Sequence, residues 1–184
     1  MALIEILKYP DAKLRQETRR VESFNGELRR LVSDMTETMY AARGAGLAAI
    51  QVGSDLRLFI VEATIAGGTQ ADAPLIFVNP EIVSLEGTQT GDEGCLSFPG
   101  IFLPVKRALR CTARAHDLDG CELLATAEGL YARAIQHEID HLDGKLLVDY
   151  AGPVKRRMIK RYMDRREWEV EGQNIRGELD DSPL

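Results

Sequence analysis

Ala127-Glu128-Gly129-Leu130-Tyr131-Ala132-Arg133-Ala134-Ile135-Gln136-His137-Glu138-Ile139-Asp140-His141-Leu142 is the stretch on which the rest of the chain turns. Its apolar members Leu130, Tyr131, Ala134, Ile135, Ile139 and Leu142 recur at helical spacing and cover most of a helix circumference, so a central, buried helix is predicted from 127 to 142. Within it, His137 and His141 stand four residues apart and share one face, where both imidazoles can bind a single metal ion. Glu138 is rotated to one side, placed to exchange a proton with water at that ion rather than to ligate it.

A catalytic metal site normally takes three protein ligands and keeps one position open, so a third donor has to come from elsewhere. His116 ends a predicted strand and reads more simply as a surface or capping residue. Cys95 is the better candidate. It sits in Asp92-Glu93-Gly94-Cys95-Leu96-Ser97-Phe98-Pro99-Gly100, which reads as an irregular extended loop able to aim a thiolate and neighbouring N-H groups at a ligand. Cys111 and Cys121 flank a hairpin and read as core residues. A third segment, Gly44-Ala45-Gly46-Leu47-Ala48-Ala49-Ile50-Gln51-Val52-Gly53, is too apolar for a phosphate loop, but its small residues permit close backbone approach and Gln51 offers an amide donor for an oxyanion.

Around these segments the chain alternates between two periods. Asn25 caps a predicted helix with Leu28, Leu31, Val32, Met35, Met39 and Ala42 on its apolar side and Gly44 as the stop. Short apolar runs at 56–61 and 74–79 read as strands. Leu109, Cys111, Ala113 and Ala115 alternate with polar residues, and Asp117 to Gly120 turns into a further apolar run at 121–125, an antiparallel hairpin. Pro153 opens a last helix with Val154, Met158, Ile159, Tyr162 and Met163 as its apolar face and a strongly basic remainder.

Composition bounds the function. At 184 residues, 45% hydrophobic and 28% charged, one catalytic domain over 1–170 is predicted, with 171–184 an acidic, flexible tail. A net charge of -6 argues against generic binding to DNA or other nucleic acid. The N-terminus places Glu5 and Lys8 among apolar residues and no 18-residue apolar run follows, which predicts neither signal peptide nor membrane span and a cytoplasmic protein.

In their order along the chain, Gly44-Ala45-Gly46-Leu47-Ala48-Ala49-Ile50-Gln51, Glu93-Gly94-Cys95-Leu96-Ser97 and Gln136-His137-Glu138-Ile139-Asp140-His141-Leu142 resemble the three motifs of the peptide deformylases, and the resemblance spans about residues 3 to 165. It implies an α+β fold, antiparallel β-sheets packed around the central helix with a C-terminal helix besides. It implies one divalent metal on Cys95, His137 and His141, iron(II) (Fe2+) in the native enzyme with zinc, nickel or cobalt as substitutes. The implied reaction removes the formyl group from N-formylmethionyl nascent peptides, with Glu138 as general base and acid, and with Gln51 and the Leu96 N-H on the oxyanion. The methionine side chain is expected against the first glycine motif (Ala45, Gly46) and the central helix (Leu130, Arg133), the Arg133 stem lining the pocket while its head reaches solvent. Ala45 is smaller than the branched residue usual there. Two rivals stand beside this reading. A zinc peptidase shares the His-Glu-x-x-His helix but takes a downstream third ligand, and no histidine follows His141. A non-catalytic, metal-stabilised binding module needs a fourth protein ligand. The basic last helix, with an excess of six positive charges over 155–166, suggests contact with ribosomal RNA near the nascent chain.

Overall fold

The computed structural model describes residues 3–166. Five strands form one antiparallel sheet in the order β1 (Gly46–Ala48), β2 (Leu58–Val61), β3 (Leu75–Glu86), β6 (Arg110–His116), β7 (Glu122–Glu128), and β4 (Gln89–Cys95) pairs with β5 (Phe98–Arg107) as a separate hairpin. Strand periodicity decides what covers the large sheet. Phe59 and Val61 project to one face with Phe77, Cys111 and Ala113, where helix α2 (Gly129–Leu142) lays down Ala132, Ile135, Ile139 and Leu142. Leu58, Ile60 and Val78 project to the other, where helix α1 (Gly26–Ala41) lays down Leu28, Val32, Met35 and Met39. The Asn25 side chain accepts from the N-H groups of Glu27 and Leu28, the predicted cap. The hairpin β4–β5 lies across the remaining side of α2, and its inward residues Ile101, Leu103 and Val105 form a third core with Leu147, Val148, and Ile159 and Met163 of helix α3 (Pro153–Asp164). The expected α+β architecture with a central helix is observed.

Several expectations change. The segment around Cys95 is not an irregular loop but the turn end of the β4–β5 hairpin; the alternation of Ile101, Leu103 and Val105 with Phe102, Pro104 and Lys106 was its signal. The ladder slips between Gly94 and Cys95, and such a bulge re-aims a side chain next to a site. Gly94 leaves room there for the Phe102 ring, which a Cβ would meet at 2.7 Å and push aside. Cys121 is exposed rather than part of the core, while Cys111 is buried. Ala42 is exposed, as are Val154 (63%) and Met158 (47%), so only Ile159, Met163 and half-buried Tyr162 of α3 face the core. Helix α2 is not apolar all round: Ala127 and Glu128 belong to β7, and its hairpin-facing side is polar and buried. No helix among the described residues is long and apolar enough to cross a membrane. The predicted acidic tail, 171–184, lies outside the described residues.

The chain ahead of α1 ties the motif segments together. Leu7 N-H donates to Gln51 O at 2.7 Å, Tyr9 N-H to Ser97 O at 3.0 Å, and Lys8 Nζ to Leu96 O at 2.7 Å.

Candidate metal centre and cleft

Helix and hairpin bring the donors together. On α2, His137 and His141 share a face one turn apart, turned toward Glu93 and Cys95 of the hairpin. On β4, Glu93 and Cys95 both meet α2 despite the slip between Gly94 and Cys95, Glu93 at His137 and Cys95 at His141. Cys95 Sγ comes to 3.2 Å from His141 Nε2, and His141 Nε2 to 3.2 Å from His137 Nε2. The three ligand atoms lie within 4.8 Å of one another. An ion bound at about 2.0 Å from nitrogen and 2.3 Å from sulfur in tetrahedral geometry separates its ligands by about 3.3 to 3.6 Å, so this S/N/N triangle fits a divalent cation with one corner open. Burial opposes charge on Cys95, but the His141 and His137 imidazoles outweigh it and hold the thiol well below its ordinary value, as a thiolate ligand requires.

The surrounding groups fix the imidazole of His137. Its Nδ1 pairs with Glu93 Oε2 at 2.9 Å, which leaves Nε2 for the metal corner. Glu93 is gripped in turn by the fork of Arg107, at 2.8 and 2.9 Å, and by Arg133 Nη1 at 2.9 Å. Burial alone would raise the Glu93 carboxyl; its bonds to Arg107 and His137 win and bring it down to about 2. Here the structure corrects the reading of Arg133. The residue lines the cleft but is only 7% exposed, and its guanidinium donates to Gly91 O and Val105 O as well as to Glu93, so the head is buried in hydrogen bonds rather than held out in solvent. The sequence reading assigned no role to Glu93, Arg107 or Ser97, although Glu93 stands two residues before Cys95.

Glu138 lies beside the triangle, 4% exposed, with Oε2 buried and unpartnered. Burial pushes its carboxyl up to about 7, against the smaller opposing pull of His137 and His141. Gly46 explains how it fits: a Cβ there would stand 2.5 Å from Glu138 Oε1. Gln51 is buried in a short 3-10 helix, Ala49–Val52. Its Oε1 accepts from Ala48 N-H at 2.9 Å, which turns Nε2 toward Ser97 Oγ at 3.0 Å and Cys95 Sγ at 3.5 Å. His116, the weaker ligand candidate, sits at the far sheet end against Phe24 and is not in the cluster. A cleft of about 620 Å³ opens over the triangle, walled by Ala45, Gly46, Leu96, Leu130, Arg133 and Glu138 among others; Leu130, 62% exposed, stands at its rim.

Residues 3–157 match the family model described as polypeptide deformylase. The chain belongs to the polypeptide deformylase family. The peptide deformylase of Alkalilimnicola ehrlichii is 48% identical, over 90% of this chain and 91% of that protein. A crystal structure of a peptide deformylase from Legionella pneumophila superposes with a TM-score of 0.85 at 43% identity, covering 93% of this chain and 99% of that one. A peptide deformylase from Ehrlichia chaffeensis in complex with actinonin gives 0.84 at 36%, over 91% and 99% of the two chains. The chain is thus an enzyme of the deformylase type, which removes the zinc peptidase and the non-catalytic module from consideration, and its Cys/His/His cluster matches a family that uses a divalent metal.

Proposed function

We propose that the chain hydrolyses the formamide of N-formylmethionyl nascent peptides, giving formate and a free N-terminal amine. The observation that carries this reading is the convergence of Cys95, His137 and His141 on the floor of a cleft, beside a buried carboxylate with a free oxygen. Cys95, His137 and His141 would hold a divalent ion, which when bound would supply Lewis acidity toward water and the formyl oxygen. Glu138 accepts a proton from the attacking water and returns it to the departing amine nitrogen; a carboxyl raised by burial is suited to both transfers. Gln51 Nε2, anchored through Oε1, and the Leu96 N-H donate to the oxyanion as it develops. Ala45, Gly46, Leu130 and the Arg133 stem border the space for the methionine side chain.

Iron(II) is the ion proposed. A thiolate donates more charge than a third imidazole would, which weakens zinc as a Lewis acid, and zinc, nickel or cobalt are the substitutes. The basic face of α3 is proposed to meet ribosomal RNA in the cytoplasm, with residues 171–184 as an acidic tail beyond it. Formate release from a formyl-methionyl peptide, with metal content measured on the same sample, tests the central reading; metal-loaded protein without formate release would overturn it. Reversing Lys155, Arg157 and Arg161 should weaken salt-dependent ribosome co-sedimentation and spare activity on short peptides, and unchanged co-sedimentation removes the RNA contact.

A further inference from the structure

The chain of polar groups behind His137 does not end at Glu93. Arg107 commits Nε and Nη2 to Glu93 and extends Nη1 the other way, to Asp140 Oδ2 at 2.6 Å and the Tyr150 hydroxyl at 2.7 Å. The Tyr150 hydroxyl donates to the same Asp140 Oδ2 at 2.6 Å. Three residues from three elements thus close a triangle: Arg107 from β5, Asp140 from α2, and Tyr150 from the short 3-10 helix Leu147–Tyr150 that follows it. Tyr150 is held from its ring as well, with the Arg107 guanidinium carbon 4.6 Å and Lys145 Nζ 4.2 Å from its centroid.

A guanidinium is a rigid plane, so the partners of Nη1 set the orientation of the fork that grips Glu93. Glu93 in turn sets the orientation and tautomer of His137. The second grip, Arg133 on Glu93 Oε1, still holds that carboxylate in place when Arg107 shifts, so loosening the triangle alters its aim rather than releasing it. We propose that Tyr150 is a positioning residue for His137, acting through Arg107 and Glu93, and that it sets how tightly the chain holds its divalent ion. The inference rests on the reading of Cys95, His137 and His141 as metal ligands.

Tyr150→Phe keeps the ring and its cation contacts and deletes only the hydroxyl. Nickel affinity of the full chain, measured by competition with a chromophoric chelator, should fall about tenfold, the lower end of the range for groups that orient a metal ligand. The visible spectrum of the cobalt(II)-loaded variant should shift as well. Because the effect is transmitted through Glu93, nickel should bind Glu93→Gln/Tyr150→Phe no more weakly than Glu93→Gln alone. Nickel affinity of Tyr150→Phe within twofold of wild type overturns the proposal, as do fully additive effects, whatever happens to the melting temperature. Should Tyr150→Phe fold poorly, Asp140→Asn removes the other side of the triangle and must show the same weakening and the same dependence on Glu93. Formate release enters none of these measurements. A wrong deformylase reading would show as normal nickel binding without turnover, whereas wild type that binds no nickel overturns the ligand assignment and this proposal together.

Discussion

The two long sides of α2 are buried to similar depth by different means. Toward the sheet, Ala132, Ile135, Ile139 and Leu142 are covered by apolar side chains of β2, β3, β6 and β7. On the metal side, Arg133 and His141 facing the hairpin and Glu138 against Gly46 of β1 are equally shielded from water but lie among charges and hydrogen bonds. Apolar burial stabilises whatever the partner, in proportion to area. Polar burial is favourable only when each group meets its match, and the unpartnered Glu138 Oε2 beside the metal corner is where a reacting species is to be handled. One side of the helix therefore holds the fold and the other holds the chemistry.

Substitutions should separate the two sides. Glu138→Gln keeps shape and removes the proton acceptor, so turnover should drop by about 10²- to 10⁴-fold while metal content and melting temperature stay near wild type. A variant within a few-fold of wild type would break the assignment of chemistry to this side. Gln51→Leu should lower kcat by about 10²- to 10³-fold, the usual cost of losing one oxyanion donor; a change confined to KM would mean the amide binds ground-state substrate instead. On the sheet side, Ile135→Ala leaves a cavity at a fully buried position. It should cost about 2–5 kcal/mol in denaturant unfolding and leave the turnover of the folded fraction unchanged, and a large loss of turnover at intact stability would erase the distinction.

The smallest effect is in acid stability. Glu93 is held at about 2 in the folded chain against an ordinary 4.5, so its ionised form binds the fold's cations more tightly than the unfolded chain's. That contribution is fully present above pH 4.5 and drains away as pH falls toward 2. Unfolding of metal-free wild type and Glu93→Gln, followed from pH 7 to 3, should show a gap that narrows below about pH 4.5; a gap independent of pH would mean that Glu93 acts by shape alone.

The same contrast governs what could be read from the sequence. The apolar side of α2, the Asn25 cap and the β6–β7 hairpin followed from period and turn chemistry, since each depends on neighbours in sequence. The His-Glu-x-x-His spacing and Cys95 were legible for the same reason, helped by the family resemblance. Arg133 was misread because its partners, Glu93, Gly91 O and Val105 O, arrive from a hairpin some 28 to 42 residues away. Arg107 and Tyr150 carry no local signal at all: an arginine in a strand and a tyrosine after a helix acquire meaning only where the hairpin crosses α2. The β4–β5 hairpin itself escaped because Gly91, Gly94, Pro99 and Gly100 resemble loop composition, while Ile101, Leu103 and Val105 kept a strand's alternation in their midst.

The stitching of residues 7 to 9 onto Gln51, Leu96 and Ser97 bears on the order of events as the chain is made. Lys8 and Leu96 are 88 positions apart, so although Leu7 meets Gln51 and Ile4 meets Thr38 nearer in sequence, the anchorage of Lys8 waits on the β4–β5 turn. Closing so long a loop is deferred until local structure is in place. The Lys8 and Tyr9 contacts therefore form late, and with them the turn that presents Cys95 gains an anchor. Assembly of the metal corner is in this sense a late act of folding, completed by contacts between residues far apart in sequence.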